Sequence, residues 1–203
     1  MSQGPPGPAA LPRRIVLTGF MGAGKSTVGR VLAARLRWPF LDIDSLITAR
    51  QNCTIARIFA EHGEPHFRRL EADTVAHVLH PDHEHRQAIV ALGGGAIETE
   101  AVRNLLFAEN ASTPETVTIF LTAPLAELLA RCRGPEPAGA TREPAPVRPI
   151  LSGPESPEDR LARRLPLYSQ AHLTVDTSGI PPTMVVDRII DWLSAYDPPH
   201  PDR

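Results

Sequence analysis

The stretch GFMGAGKSTVGR, from Gly19 to Arg30, restricts what this chain can fold into more than any other part of it. It fits the pattern G-x-x-x-x-G-K-S/T at Gly19, Gly24, Lys25 and Ser26, and it stands between the strand-like RRIVLT and the helical STVGRVLAARL, where such a loop has to stand. Glycines at 19, 22 and 24 let the backbone curl so that successive N–H groups point inward, and the helix behind them adds the positive end of its dipole. A chain of phosphates fits that cradle, with Lys25 reaching the β- and γ-phosphates and the Ser26 hydroxyl ligating Mg2+. A glycine-rich turn without a ligand is the competing reading, and the strand-loop-helix setting argues against it. Loops of this kind also serve switches, motors and transporters, so the loop alone names no reaction.

With 203 residues, 42% hydrophobic and 22% charged, the chain is long enough for one well-buried α/β domain and too short for two ordinary ones. A net charge of −2 argues against a general nucleic-acid or anionic-membrane binder and leaves room for a local basic pocket. The two cysteines, Cys53 and Cys132, read as reduced thiols, and no apolar run approaches the ~18 residues of a membrane span. The opening MSQGPPGPAALPRR lacks the apolar core of a signal peptide, so a cytoplasmic monomer with small-molecule partners is expected. Proline clusters in three places. Residues 1–12 and 196–203 read as disordered tails around one domain, 13–195. The third cluster, within 134–153, interrupts an otherwise folded pattern and carries Arg142 and Arg148, as a functional loop does.

Between these clusters the pattern alternates. RIVLT, PFLDI, AIVAL, TVTIFL and HLTVD read as five buried strands, interleaved with helical spacing in VGRVLAARL, IARIFAEHG, FRRLEADTVAHVLH, AVRNLLFAEN, PLAELLARC and MVVDRIIDWLSAY. Such alternation predicts a parallel sheet covered by helices on both faces, with ligands beyond the carboxyl ends of the strands.

The residues after each strand therefore matter most. PFLDIDS offers Asp42 and Asp44, whose carboxylates would face one side of an extended segment and suit water-mediated Mg2+ binding or orientation of an attacking hydroxyl. Asp44 before SLITAR equally suits the cap of the next helix. AIVALGGGA ends in Gly93, Gly94 and Gly95, either a tight turn needing positive φ or a surface that lets a ligand approach bare backbone donors. In HGEPHFRRLEADTV, Arg68 and Glu71 stand three apart and can pair on a helix, although such runs are also ordinary solvated faces. His80, His83 and His85 sit in a polar, proline-broken stretch that reads as a surface loop rather than a metal framework. Cys132 reads as packing.

Taken in order, GFMGAGKSTVGR, LDID, FRRLE, LGGGA, VRPIL and RLPLY resemble shikimate kinase, a small P-loop kinase family of the nucleoside-monophosphate-kinase-like class, over about Arg14 to Leu193. The resemblance implies a three-layer P-loop kinase fold with a five-stranded parallel sheet and a mobile lid at about 134–153. It also implies ATP-dependent phosphorylation of the shikimate 3-hydroxyl, with Mg2+ as cofactor, on the route to chorismate and aromatic amino acids. By resemblance, Gly22, Ala23, Gly24, Lys25, Ser26 and Thr27 hold ATP, Arg148 is the lid arginine over its phosphates, and Ser26 and Asp42 (through water) serve the metal. Asp44 contacts the hydroxyl to be phosphorylated, Arg68 and Arg164 hold the shikimate carboxylate, and the Gly94 backbone meets the substrate, with Glu71, Gly93 and Gly95 in support. Lys25, Asp44 and Arg148 are the expected catalytic residues. His66 stands where the family has another polar or acidic residue, Pro65 fits a first helical turn, and VDTSGIPPT has no arginine, which leaves the adenine contacts unassigned. A kinase for gluconate or a non-catalytic relative are the alternatives; FRRLE with LGGGA argues against the first, and the presence of Lys25, Asp44 and Arg148 against the second.

Overall fold

A computed structural model describes residues 12–107, 116–133 and 155–196. Strand β1 (Arg14–Thr18) leads through the glycine loop into α1 (Lys25–Leu36), and β2 (Phe40–Asp42) runs straight into α2 (Ile43–Gln51). Helix α3 (Ile55–Leu79) precedes β3 (Ala88–Ala91), a 3-10 turn (Ala96–Glu98) and α4 (Glu100–Phe107). Then come β4 (Thr116–Thr122), α5 (Leu125–Arg133), α6 (Pro157–Tyr168), β5 (Leu173–Asp176) and α7 (Pro182–Ala195). The expected 134–153 segment, with Arg142 and Arg148, lies outside the described residues, as do residues 1–11 and 197–203 of the expected tails. Pro12 is buried, and the Tyr196 ring lies 4.6 Å from that of Trp192, so both flanking residues belong to the folded part.

All five expected strands form, in the order β2-β3-β1-β4-β5 and all parallel. In β1, Ile15, Val16 and Leu17 are each 0% exposed although successive side chains point to opposite faces, which requires layers on both sides of the sheet. Helix α1 packs on β1, β2, β3 and α7, while α4 packs on β4 and α3. Burial is therefore continuous along β1, β3 and β4, where neither face meets water, while on the edge strand β5 Thr174 and Asp176 are exposed.

The helix starts have local causes. At α3, Thr54 accepts the Arg57 N–H at 3.2 Å, and at α6 Ser156 accepts the Asp159 N–H at 3.0 Å with Pro157 next to it in the first turn. Gly63 interrupts α3 with φ 76° and ψ 169°, and Pro65 begins the resumed helix, where its missing N–H costs no hydrogen bond. Apolar spacing predicts no helix over Pro157–Tyr168, yet α6 occupies it. Its buried positions are Arg160, Arg164 and Tyr168, so the face turned inward carries two arginines and a phenol, with Leu161 and Leu167 only partly buried against the core.

Candidate functional site

The carboxyl ends of the strands deliver a loop, an acidic pair and a glycine run to one cavity of about 730 Å3. The P-loop closes it from below. Gly19, Gly22 and Gly24 all have positive φ, and at Gly22 (φ 77°) a Cβ would also lie 2.1 Å from the Leu128 carbonyl of α5, so no other residue fits. Cys132 of α5 packs at the same spot, its Sγ 3.1 Å from where that Cβ would be. Helix α1 has no side-chain cap, which leaves its first-turn N–H groups pointing at the cavity mouth for an anion. Lys25 folds back over the loop, Nζ donating to the carbonyls of Gly19 (2.8 Å) and Phe20 (3.1 Å).

The acidic pair differs from the expected extended segment. β2 ends at Asp42, which is itself the cap of α2, its Oδ1 accepting the Ser45 N–H at 3.2 Å. Asp44 is not the cap; it lies in the first helical turn. The helix begins early because Asp42 satisfies an orphan N–H, and the two carboxylates reach one cavity by this turn instead of by strand alternation. Asp42 Oδ2 also accepts the Ser26 hydroxyl at 2.7 Å, tying β2 to the P-loop.

The glycine run owes nothing to positive φ at Gly93, Gly94 or Gly95. Close approach explains it. A Cβ on Gly93 would lie 2.3 Å from Glu71 Oε1 and 3.0 Å from Asp44 Oδ1, and a Cβ on Gly95 would lie 2.4 Å from the Arg68 guanidinium. Gly93 and Gly95 thus admit protein side chains, while Gly94 lines the cavity.

Arg68 and Glu71 do pair, at 2.7 Å, and Arg68 also meets Glu64 at 2.9 Å. Burial pushes the Glu71 carboxyl up to about 6, aided by Asp44 and opposed by Arg68 and Arg164. Burial also works against the charge of Arg68, yet Glu71 and Glu64 hold its pKa above the usual value, so the pair is ionised at neutral pH. Arg164 of α6 is buried against Glu98, with Nη2 at 2.6 Å, and Nη1 donates to the Gly94 carbonyl at 3.2 Å. Burial lowers the Arg164 pKa, with Arg68 acting in the same sense, and the guanidinium remains protonated. Tyr168 donates to the same Gly94 carbonyl; burial drives its pKa up to about 12, which keeps the phenol a donor, and its ring stacks on Phe120 at 4.9 Å.

Gly22, Ala23, Gly24, Lys25, Ser26, Thr27, Asp42, Asp44, Gly94 and Arg164 all line the cavity. Arg68, Glu71, Gly93 and Gly95 stand behind its wall, and Arg148 lies outside the described residues. Sequence reasoning missed Glu98 and Tyr168, which touch the site through Arg164 and Gly94, and Arg131, which holds the far end by donating to the Thr177 hydroxyl (2.9 Å) and carbonyl (2.7 Å). Of these only Tyr168, inside the RLPLY motif, carried a usable signal. In the histidine loop, Nδ1 of His80 and of His83 accepts a local backbone N–H, and among the described residues no cluster of three His, Cys, Asp or Glu has metal-binding placement.

The sequence model of the family described as shikimate kinase matches residues 21–194. A shikimate kinase of Salinibacter ruber is 40% identical over 199 residues, covering 93% of this chain and 88% of that protein. One of Geobacter metallireducens is 37% identical over 184 residues, covering 89% and 92%. Among solved structures, shikimate kinase from Acinetobacter baumannii in complex with shikimate superposes with a TM-score of 0.75 at 31% identity, covering 91% of this chain and 94% of that one.

Proposed function

Because the chain belongs to the shikimate kinase family, phosphotransferases with an alcohol acceptor, we propose that its P-loop holds ATP and that the pocket beside Gly94 takes shikimate, whose 3-hydroxyl receives the γ-phosphoryl group. The products are ADP and 3-phosphoshikimate, on the way to chorismate and aromatic amino acids. The single observation that carries the reading is the convergence of Asp44, Gly94 and Arg164 on the cavity that the P-loop floors.

Each of the described residues has a role that its chemistry suits. Backbone N–H groups of the loop and of the α1 start cradle the phosphates, and Lys25 exchanges its two carbonyl contacts for phosphate oxygens. Ser26 and Asp42 supply hard oxygen donors that fit Mg2+, Asp42 through water. Bound there, the ion would neutralise phosphate charge. Asp44 orients the acceptor hydroxyl and takes its proton as the O–P bond forms. Arg164 on the cavity wall and Arg68 behind it, against Gly95, form the grip on the acceptor carboxylate, and Arg148, outside the described residues, would close over ATP. The nucleoside lies toward Arg131, Thr177 and Pro182, the part of the cavity that the phosphates and the acceptor leave open. The free thiols Cys53 and Cys132 suit the cytoplasm, and we place the enzyme there as a monomer that binds neither nucleic acid nor membrane; among the described residues no helix is long and apolar enough to cross a membrane.

An ADP-release assay with shikimate, gluconate and no acceptor tests the reading: turnover is expected with shikimate alone, and turnover with gluconate or without acceptor would count against it. The clamp is tested by truncation. Breaking one side of a desolvated charge contact commonly costs ~2 kcal/mol or more, so Arg68→Ala and Arg164→Ala should each lower kcat/KM for shikimate tens-fold or more, with ATP affinity little changed. An acceptor analogue without the carboxylate should be poor for the wild type and lose far less on either mutation. Equal losses for both acceptors would assign these arginines to the fold.

The Glu71 carboxyl, at about 6, adds a pH dependence. As pH falls through that value Glu71 takes a proton, Arg68 loses its inner partner, and KM for shikimate should rise while KM for ATP does not. Glu71→Gln should remove the break, and a break that survives in Glu71→Gln belongs to another group. For stability the sign is opposite. The folded state holds the proton more tightly than the ordinary glutamate value of 4.5 implies, so ionisation between that value and about 6 costs stability as pH rises, about 2 kcal/mol by neutrality.

A further inference from the structure

Arg164 has every nitrogen engaged. Nε (2.9 Å) and Nη2 (2.6 Å) both meet Glu98 Oε2, Nη1 donates to the Gly94 carbonyl, and the Phe20 ring lies 5.8 Å from Cζ. The family resemblance assigns Glu98 nothing, yet its carboxylate is built into a frame. It ends the 3-10 turn that follows the glycine run, its N–H donates to the Gly95 carbonyl at 3.0 Å, and its own carbonyl accepts from Arg103 at 2.7 Å. On the other side Arg163 bridges Glu98 to Glu155, donating to the latter from Nε (2.9 Å) and Nη2 (2.8 Å).

We propose that Glu98 is a positioning residue for the acceptor: it holds the Arg164 guanidinium on its Nε/Nη2 side so that the acceptor carboxylate meets a single preset orientation beside Gly94. The inference rests on the reading of Arg164 as an acceptor-carboxylate residue. Two effects of Glu98 oppose each other. Its charge offsets that of Arg164 and so weakens the pull on any anion, while its geometry removes rotamer freedom that the acceptor would otherwise have to freeze on binding. Geometry dominates here, because Arg164 is 3% exposed and one misplaced rotation would point its donors into the protein instead of the cavity. Arg68 is also held by carboxylates, differently arranged: buried Glu71 meets Nη1 at 2.7 Å, and Glu64 takes the Nε/Nη2 side at 3.2 and 2.9 Å. Each half of the clamp therefore carries its own carboxylate.

Steady-state kinetics of the full chain, with shikimate and ATP varied separately, test this. Glu98→Ala should raise KM for shikimate about tenfold with kcat and KM for ATP within about twofold, the pattern of lost uniform binding. Glu98→Gln keeps an oxygen for Arg164 without the charge and should recover most of the loss. In an Arg164→Ala background, adding Glu98→Ala should raise KM no further, because both changes act through one contact. An unchanged or lowered KM for shikimate in Glu98→Gln and Glu98→Ala would overturn the proposal in favour of simple charge competition, and so would additive losses in the double variant. If Glu98→Ala does not fold, Glu98→Leu, which keeps most of the volume and offers Arg164 no acceptor, decides by the same signs, alone and in the Arg164→Ala background. If Arg164→Ala itself leaves KM for shikimate untouched, the acceptor reading falls and this inference with it, whereas an effect of Arg164→Ala without one of Glu98→Ala sinks only the inference.

Discussion

Lys25→Met should lower kcat by about a thousandfold or more in an enzyme that still folds and still takes up nucleotide. Phosphoryl transfer leaves the protein little covalent work, so its rate depends on positioning and on charges aimed at the transferring group. Removing one preorganised donor from such a site typically costs a factor of about 10^2 to 10^3 in kcat, and the loss of a full positive charge belongs at or beyond the upper end. Met keeps the length and the apolar stem. Among what it gives up are the contacts from Nζ to the Gly19 and Phe20 carbonyls, which are only partly buried. The fold penalty should therefore stay near ~1 kcal/mol, a shift of a few degrees in Tm. Single-turnover rates beside thermal melts check both halves of the statement. Near-native kcat in a folded Lys25→Met enzyme would remove Lys25 from the mechanism.

Asp44→Asn should be almost as damaging, and by a different route. The change keeps the side-chain volume and removes both the base and the charge, and general-base contributions are worth about 10^2 to 10^4 in rate. The loss should fall on kcat, with ATP affinity within about twofold, because the contact to the P-loop hydroxyl of Ser26 is made by Asp42. A second readout comes from the neighbour. Asp44 is one of the groups that push the Glu71 carboxyl upward, so in Asp44→Asn the pH break in KM for shikimate should move below about 6. A collapse of ATP binding with kcat preserved would transfer Asp44 to the metal and phosphate site. A kcat close to wild type would remove it from the reaction.

These two residues also mark how far the sequence could be read. Lys25 and its loop were legible in full, because the glycine dihedrals and the uncapped helix start are local properties of consecutive residues. The strands were legible because a sheet buried on both faces needs unbroken apolar runs. Asp44 was found for a reason the structure corrects: strand alternation put it beside Asp42, whereas the chain turns into a helix at Ile43. Helix α6 was missed for a physical reason as well. Periodicity treats polar residues as outward, and Arg160, Arg164 and Tyr168, spaced four apart, form the face that α6 turns inward.

By itself the sequence determined the parallel α/β sheet, the phosphate cradle and the ordered motifs that identify the family, all consequences of short-range backbone constraints and of which stretches must avoid water. Only the tertiary structure decided how the charges are shared. Arg164 meets Glu98 across 66 positions and Gly94 across 70, and Gly93 and Gly95 lack side chains to make room for Glu71, Asp44 and Arg68. A pair of opposite charges brought together by the fold leaves no period, cap or turn signal along the chain, because the desolvation that gives the contact its strength exists only once the surrounding elements have packed.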